Sequence, residues 1–285
     1  MAPNERQTRR ILVALDASPS SLRALQAGAW LAASLDAELA GLFVEDEDLL
    51  LAAGLPFTQV LGSFSGDHVS LEVASLEHDF QLIAQKMARA VAQTASQFQL
   101  MHSFQVLRGQ VNQRLIEAAG EGDVLTLGGS GWSSRFKRMG ASAQLAFERG
   151  RSSILMLPGG QRTDKDTLTG SRLVAVYDGS PSSDRVLAIL LQLLRTRAPQ
   201  TVMLLLAGSD SEIDTLKGRA QAVLAPAGVD VRYVPLYSAT TDDLIGAIQA
   251  SGARWILSAA DQPLIQGASL RLLLGRTGLP ALLIR

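Results

Sequence analysis

Apolar and polar residues alternate in blocks along the first half of the chain, and each block has the length of a strand or a helix. Short apolar runs predict strands at 11–15, 38–44, 104–107, 124–127 and 154–157. Longer stretches with apolar residues at helical spacing predict helices at 19–35, 76–98, 111–119 and 141–148. Because strands and helices alternate strictly, the pattern predicts a parallel sheet with helices on both faces.

The second half follows the same course in a shorter form. The motif Asp-x-Ser-Pro-Ser-Ser occurs at Asp16 to Ser21 and again at Asp178 to Ser183, each time between an apolar strand and a helix. A repeat of this length has the size of an ordinary α/β domain. The sequence therefore predicts two tandem domains, 1–158 and 172–285, joined by a polar linker at 159–171.

The repeated motif also predicts where a ligand site lies. Ser18 is suited to cap a helix that begins with Pro19, which leaves Asp16 at the carboxyl end of the first strand. Asp178 has the same local setting in the second half. Open parallel sheets bind ligands at these strand ends, although an aspartate here is also suited to cap the turn that follows it.

A long connection interrupts the first half between the second strand and the next helix. Residues 46–74 mix consecutive leucines, Gly, Pro and Phe with polar residues, a poor pattern for any regular element. Such a length is unusual inside a compact domain. We interpret residues 47–74 as an insertion that serves as a lid or a partner surface.

The candidate chemistry lies in a glycine loop after the fourth strand of the first half. Leu127, Gly128 and Gly131 end that strand, and Gly140, Ala141 and Ser142 open the next helix. Glycines let backbone N–H groups approach a phosphate closely, and the helix dipole favours its negative charge. In the second half no glycine pair follows the fourth strand, and the bulky Tyr177 precedes Asp178, so we expect nucleotide binding only in the first half.

On these residues the chain resembles the universal stress protein family over nearly its whole length. The family loop reads Gly-x2-Gly-x9-Gly-Ser/Thr, whereas eight residues separate Gly131 from Gly140 here, with Ala141 and Ser142 following. Either the loop is one residue shorter, with Ala141 at the hydroxyl position, or Ala141 replaces the last glycine and Ser142 supplies the hydroxyl; we favour the shorter loop.

The resemblance implies a Rossmann-like, adenine nucleotide alpha hydrolase-like fold: two tandem doubly wound five-stranded parallel sheets with strand order 3-2-1-4-5. In this strand order the ends of strands one and four border one cleft, and the resemblance implies that this cleft binds an adenine nucleotide. ATP is the favoured ligand, and Mg²⁺ is considered as an ion bound with the phosphates. The residues that the resemblance assigns to nucleotide binding are Ala14, Leu15, Asp16, Val44, Leu127, Gly128, Gly131, Gly140, Ala141 and Ser142. For Val44, plain core packing is the competing interpretation.

Composition narrows the classes of function. The 26 basic and 27 acidic side chains nearly cancel, which disfavours nucleic acid or anionic lipid as the main partner. The chain has no Cys, and its three histidines show no metal-site spacing, so we predict neither catalytic nor metal-binding residues. No signal-type segment or bilayer-length apolar run occurs, which favours a cytoplasmic location.

Three functions remain compatible with the sequence. The first is a stress-response regulatory protein that binds an adenine nucleotide, the second is an interaction scaffold that binds none, and the third is a slow ATP hydrolase. The exposed fifth strands, 154–157 and 281–284, predict an intramolecular pseudo-dimer of the two domains. A homodimer through residues 47–74 and an unidentified protein partner stay open.

Overall fold

A single ten-stranded sheet forms the centre of the molecule, and helices cover both of its faces. The structure is a computed structural model that describes residues 9–55, 59–61, 68–70, 73–129, 141–158, 172–196, 201–237 and 240–285. We refer to the described residues up to 158 as the first half and to those from 172 as the second half.

The first half contributes five strands to the sheet. They are β1 (Arg10–Leu15), β2 (Glu38–Asp46), β5 (His102–Gly109), β6 (Asp123–Leu127) and β7 (Ser153–Met156). Its helices are α1 (Pro19–Leu35), α2 (Glu47–Ala53), α3 (Val73–Phe98), α4 (Val111–Ala118) and α5 (Ala141–Arg149). Two short strands, β3 (Gln59–Leu61) and β4 (His68–Ser70), pair antiparallel apart from the main sheet.

The second half repeats this course without the extra strand pair. Its strands are β8 (Arg172–Tyr177), β9 (Thr201–Gly208), β10 (Val231–Tyr237), β11 (Trp255–Ala259) and β12 (Ala281–Ile284). Its helices are α6 (Pro181–Thr196), α7 (Asp210–Leu224), α8 (Thr241–Ser251) and α9 (Ala268–Thr277). Short 3₁₀ turns follow α7 and β11.

Strand order confirms the predicted fold class. The sheet runs β10-β9-β8-β11-β12-β7-β6-β1-β2-β5, so each half has the order 3-2-1-4-5 with parallel pairing inside it. Apolar residues of both halves form one buried cluster on each face of the sheet. The helices α1, α3, α6 and α7 pack on one face, and α4, α5, α8 and α9 pack on the other.

The two halves join through the edges that the sequence predicts to be exposed. Strands β7 and β12 pair antiparallel, and Leu155 lies opposite Leu282. These two leucines hold equivalent places in their halves, as the strand registers show, so the pairing is self-complementary in the manner of a two-fold interface. Helices α1 and α6 meet beside it, where the Trp30 and Trp255 rings lie 5.1 Å apart.

The expectation that residues 46–74 hold no regular element is wrong. Helix α2 begins after Asp46, whose carboxylate accepts a hydrogen bond from the Asp48 backbone N–H at 3.0 Å. Glu47 and Asp48 also place negative charge in the first turn, where the helix dipole favours it. Sequence periodicity missed this helix because it is short and because local capping, not an apolar stripe, defines its start. The proposed linker at 159–171 lies outside the described residues.

Candidate functional site

A tight turn at the end of β1 starts helix α1 and forms one wall of the candidate site. The Asp16 carboxylate accepts a hydrogen bond from the Ser18 backbone N–H at 3.0 Å. Ser18 in turn caps α1 by accepting from the Ser21 N–H at 3.1 Å, and Pro19 occupies the first helical position. The predicted cap is therefore confirmed. Asp16 does serve the turn, but among the described residues only one of its carboxylate oxygens accepts a hydrogen bond, which leaves the other available to a ligand.

The end of β6 approaches this turn so closely that only glycine fits. A Cβ on Gly128 would lie 2.7 Å from the Ser20 carbonyl oxygen and 2.8 Å from its carbonyl carbon. Strands β1 and β6 are paired neighbours, with Val13 opposite Thr126, so both strand ends open at the same edge of the sheet. Gly128 is thus required first for the approach of β6 to the α1 backbone, a reason distinct from the phosphate binding that the sequence suggested.

Between these strand ends lies a cavity of about 220 Å³. The sequence-predicted residues that line it are Ala14, Leu15, Asp16, Val44, Leu127 and Gly128. Val44 is partly buried: it packs against the core cluster on this face of the sheet and also lines the cavity. Gly131 and Gly140 lie outside the described residues, and Ala141 and Ser142 begin α5, where only their backbone is described.

Sequence reasoning missed several lining residues. The apolar ones are Leu42 on β2, Val111 and Leu115 on α4, and Ala143 on α5, and the polar ones are Ser18, Ser20 and Ser21. Three of these positions carried a usable signal: Leu42 shares the β2 face of Val44, and Val111 and Leu115 share one face of α4. Nothing in the sequence indicated that these particular faces turn toward the end of β1.

The lining divides into an apolar part and a polar part. The side chains of β2, α4 and β6 provide apolar walls that suit a flat base, whereas the serines of the first α1 turn and the Asp16 carboxylate lie on the opposite side. The helix start contributes a partial positive charge that suits an anionic group. Asp16 is the one acidic or basic side chain among the described lining residues, and no group of three metal-ligating side chains occurs in the described chain.

A wider cavity of about 580 Å³ adjoins this one and shares Val111 with it. Two of its carboxylates have partners, since Asp46 caps α2 and Glu117 accepts hydrogen bonds from Gln113 and Arg114. These hydrogen bonds, of which the one from Gln113 is the larger influence, hold the pKa of Glu117 below its usual value.

In the second half the equivalent strand ends are bridged by side chains. Asp178 repeats the Asp16 turn, because its carboxylate accepts from the Ser180 N–H at 2.9 Å. Its second oxygen, however, accepts from the Gln262 side-chain amide at 3.1 Å, and Gln262 is only 4% exposed. Burial tends to raise the pKa of Asp178, but hydrogen bonds from Ser180 and Ser183 outweigh burial and lower it. Gln262 thus engages the second carboxylate oxygen of Asp178, for which Asp16 has no hydrogen-bond donor among the described residues.

The expectation that the Tyr177 ring lies where a nucleotide base would bind is wrong. The Tyr177 ring is fully buried among the residues that face α6 and α7, and its hydroxyl donates to Asp184 at 2.8 Å. Val176 faces the opposite side of the sheet. It is the equivalent of Ala14, which lines the first-half cavity. Burial and the hydrogen bond to Asp184 together raise the pKa of Tyr177 to about 12.

Comparison with known proteins agrees with this architecture. Residues 7–124 match the model of the universal stress protein family. A universal stress protein from Archaeoglobus fulgidus DSM 4304 superposes with a TM-score of 0.71 over 97% of this chain and 98% of that one, at 14% identity. A putative universal stress protein from Pseudomonas aeruginosa UCBPP-PA14 gives 0.54 at 12% identity, over 99% of this chain and 94% of that one. No curated protein matches the sequence.

The fold and the strand-end cavity define a tandem α/β protein of the doubly wound class. The match over residues 7–124 shows a universal stress protein domain in the first half. The low identity of the solved structures means that they establish the fold across both halves and nothing further. No described helix combines the length and the apolar character that crossing a bilayer requires.

Proposed function

We propose that the first half binds an adenine nucleotide in the cavity between β1 and β6, with ATP as the favoured ligand, and that the protein acts as a stress-response regulator. One observation supports this proposal above the others: apolar walls, Asp16 and the serines at the start of α1 line the same cavity. The apolar walls suit the base, and the carboxylate oxygen suits a sugar hydroxyl.

The cavity volume is consistent with part of such a ligand. Small-molecule pockets usually begin at about 300 Å³, and the described cavity has about 220 Å³. The nucleoside is therefore assigned to the described cavity, and the phosphates are assigned to the loop between Gly128 and α5. We expect Gly131, Gly140, Ala141 and Ser142 to contact the phosphates through backbone N–H groups, with Mg²⁺ accompanying them.

Binding rather than rapid hydrolysis is the expected activity. Asp16 is the one candidate base among the described lining residues; one of its carboxylate oxygens accepts a hydrogen bond from the turn, and the proposal assigns the other to a sugar hydroxyl. General base catalysis requires a group that is free to accept a proton from water. We therefore assign the first half a regulatory binding role.

The test is a measurement of bound and added nucleotide with a matched pair of variants. Mass spectrometry of the denatured purified protein should release an adenine nucleotide, and calorimetry of the stripped protein should give ATP binding with one site per chain. Val44→Trp should fill the cavity and weaken binding by more than about tenfold, which is about 1.4 kcal/mol. Ala207→Trp is the control, because Ala207 holds the equivalent place on β9.

Absence of both co-purified nucleotide and binding heat would reject the proposal. Equal weakening by Val44→Trp and Ala207→Trp would instead indicate that both halves bind nucleotide or that the substitutions act through stability. A thermal melt of each variant separates these two explanations, since only the second requires a lowered midpoint.

An interaction scaffold is the second candidate, and α2 with its C-terminal flank favours it. Leu49, Leu51 and Leu55 are 40%, 64% and 63% exposed, which is unusual for neighbouring large apolar residues. If a homodimer forms there, sedimentation should show a dimer that Leu51→Glu converts to a monomer. An unchanged sedimentation coefficient in Leu51→Glu, at equal protein concentration, argues against that dimer.

A further inference from the structure

Helix α5 of the first half contacts the second half at its C-terminal end. At its other end Ala143 lines the candidate nucleotide cavity. In its last turns, the Phe147 backbone carbonyl accepts a hydrogen bond from the guanidinium of Arg285, which follows β12 in the second half. The same guanidinium lies 5.8 Å from the centre of the Phe147 ring. One side chain of the second half therefore holds the helix that borders the first-half cavity.

The backbone and the charge of Arg285 strengthen this contact. Its N–H donates to the Ser153 hydroxyl at the start of β7, at 3.1 Å, which fixes Arg285 beside the end of α5. A cation near the C-terminus of a helix interacts favourably with the helix dipole. Burial lowers the pKa of Arg285, and the charge of Asp261 acts in the opposite direction, but an arginine stays charged at neutral pH. The Nε atom of Arg285 is buried and has no hydrogen-bond partner among the described residues.

The contact has no counterpart in the opposite direction among the described residues. By strand register, the first-half residue equivalent to Arg285 is Pro158, which has no side-chain donor. The corresponding helix of the second half, α9, has its Arg276 carbonyl bound by the side chain of Gln249 at 3.1 Å, a residue of the same half. The second half therefore holds a helix of the first half, while its own helix is held internally.

We propose that Arg285 is a positioning residue through which the second half sets the place of α5 and so the shape of the first-half nucleotide cavity. The inference rests on the proposed nucleotide site for its effect on affinity, but the effect on α5 itself is independent of any ligand. Under this proposal the second half acts on the first half as a partner subunit would, although its own Asp178 is hydrogen-bonded by Gln262.

The experiment uses the full chain and a single introduced thiol. Because the sequence has no Cys, Ala143→Cys places the one thiol of the protein at the cavity wall. We expect Arg285→Ala to change the rate of thiol labelling by a water-soluble disulfide reagent about fivefold and to weaken ATP binding by a similar factor. Arg285→Lys should restore most of both, because an ammonium group also donates to the Phe147 carbonyl.

Arg151→Ala is the matched control, since Arg151 is an exposed arginine in the same α5–β7 connection. It should alter neither labelling nor ATP binding. If Arg285→Ala lowers the melting midpoint but leaves labelling and affinity unchanged, Arg285 is only structural and the inference is wrong. If the parent protein binds no ATP, the proposed function fails separately, and the labelling rate alone decides the role of Arg285.

Discussion

The two halves have the same turn after their first strand, but the clefts beside these turns differ. Asp16 and Asp178 both accept a hydrogen bond from the N–H two residues later, and Ser18 and Ser180 both accept one from the N–H of the serine three residues later. In the first half Asp16 lines a cavity, whereas in the second half the Gln262 side chain donates a hydrogen bond to the second carboxylate oxygen of Asp178. The repeated motif therefore starts a helix in both halves, and in the second half Gln262, which follows β11, covers the aspartate of that motif.

The difference between the clefts lies in a few positions after the fourth strand of each half. Thr126 and Leu257 hold equivalent places, because they pair with the equivalent residues Val13 and Ala175. Counting onward, Ala259 stands in place of Gly128, and Gln262 stands in place of Gly131. The glycine at position 131 of the first half thus corresponds to a residue with a polar side chain, Gln262, in the second half.

The largest effect is expected from Gly128→Ala. The added Cβ would meet the Ser20 backbone, which is not a flexible side chain, so α1 has to move away from β6. We expect a loss of about 1–3 kcal/mol in the free energy of unfolding, as for other overpacked sites, together with loss of ATP binding. Ala259→Gly, the equivalent exchange in the second half, should leave ATP binding intact. Urea unfolding and calorimetry measure the two quantities, and unchanged stability and ATP binding in Gly128→Ala would refute the close approach of β6 to α1 as a requirement.

Charge removal at the two aspartates tests the comparison directly. Asp16→Asn keeps an acceptor for the Ser18 N–H but weakens the acceptor offered to a ligand, so ATP affinity should fall about tenfold, or ~1.4 kcal/mol. Asp178→Asn should leave ATP affinity unchanged, because Gln262 already holds the second carboxylate oxygen. Equal losses in both variants would show that the second cleft also takes part in binding.

Backbone strain differs at the position after each aspartate. Ala17 has a φ of 60°, and the equivalent residue Gly179 has a φ of 77°. This region costs an L-residue about 1–2 kcal/mol, so Ala17→Gly should raise the free energy of unfolding by up to about 1 kcal/mol. Gly179→Ala should lower it, since its Cβ would also lie 2.5 Å from a Leu216 methyl carbon. Paired thermal melts measure both, and a stabilised Gly179→Ala would contradict the assignment.

The last expected effect concerns the stability of the second half at alkaline pH and depends on Tyr177. Its pKa is raised to about 12 by burial and by the hydrogen bond to Asp184, so the neutral phenol is favoured in the folded state. This contribution is fully present below the unfolded pKa of about 10 and is lost as pH rises toward the folded value. Tyr177→Phe should therefore flatten the fall of stability above pH 10, while costing about 0.5–1.5 kcal/mol at pH 7 for the lost hydrogen bond. Urea unfolding at pH 7 and above pH 10 is the measurement, and an unaltered alkaline slope would contradict it.

The sequence by itself determined the elements, the repeat and the turn at Asp16. Apolar periodicity and a helix cap depend on residues within a few positions of one another, so both can be predicted from the sequence without knowledge of the fold. The strand order of each half followed from the family resemblance, and the structure confirms it. The helix α2 was missed because its stability depends on a local cap within a segment that has no apolar period.

Only the tertiary structure decided which surfaces meet. The cavity walls Leu115 and Ala143 come from helices far along the chain from Asp16, and strand register, not sequence spacing, brings them together. The same holds for Gln262 over Asp178 and for Arg285 at the end of α5. Such contacts join residues whose separation in sequence carries no local signal, so the chain specifies them only when the whole sheet has formed.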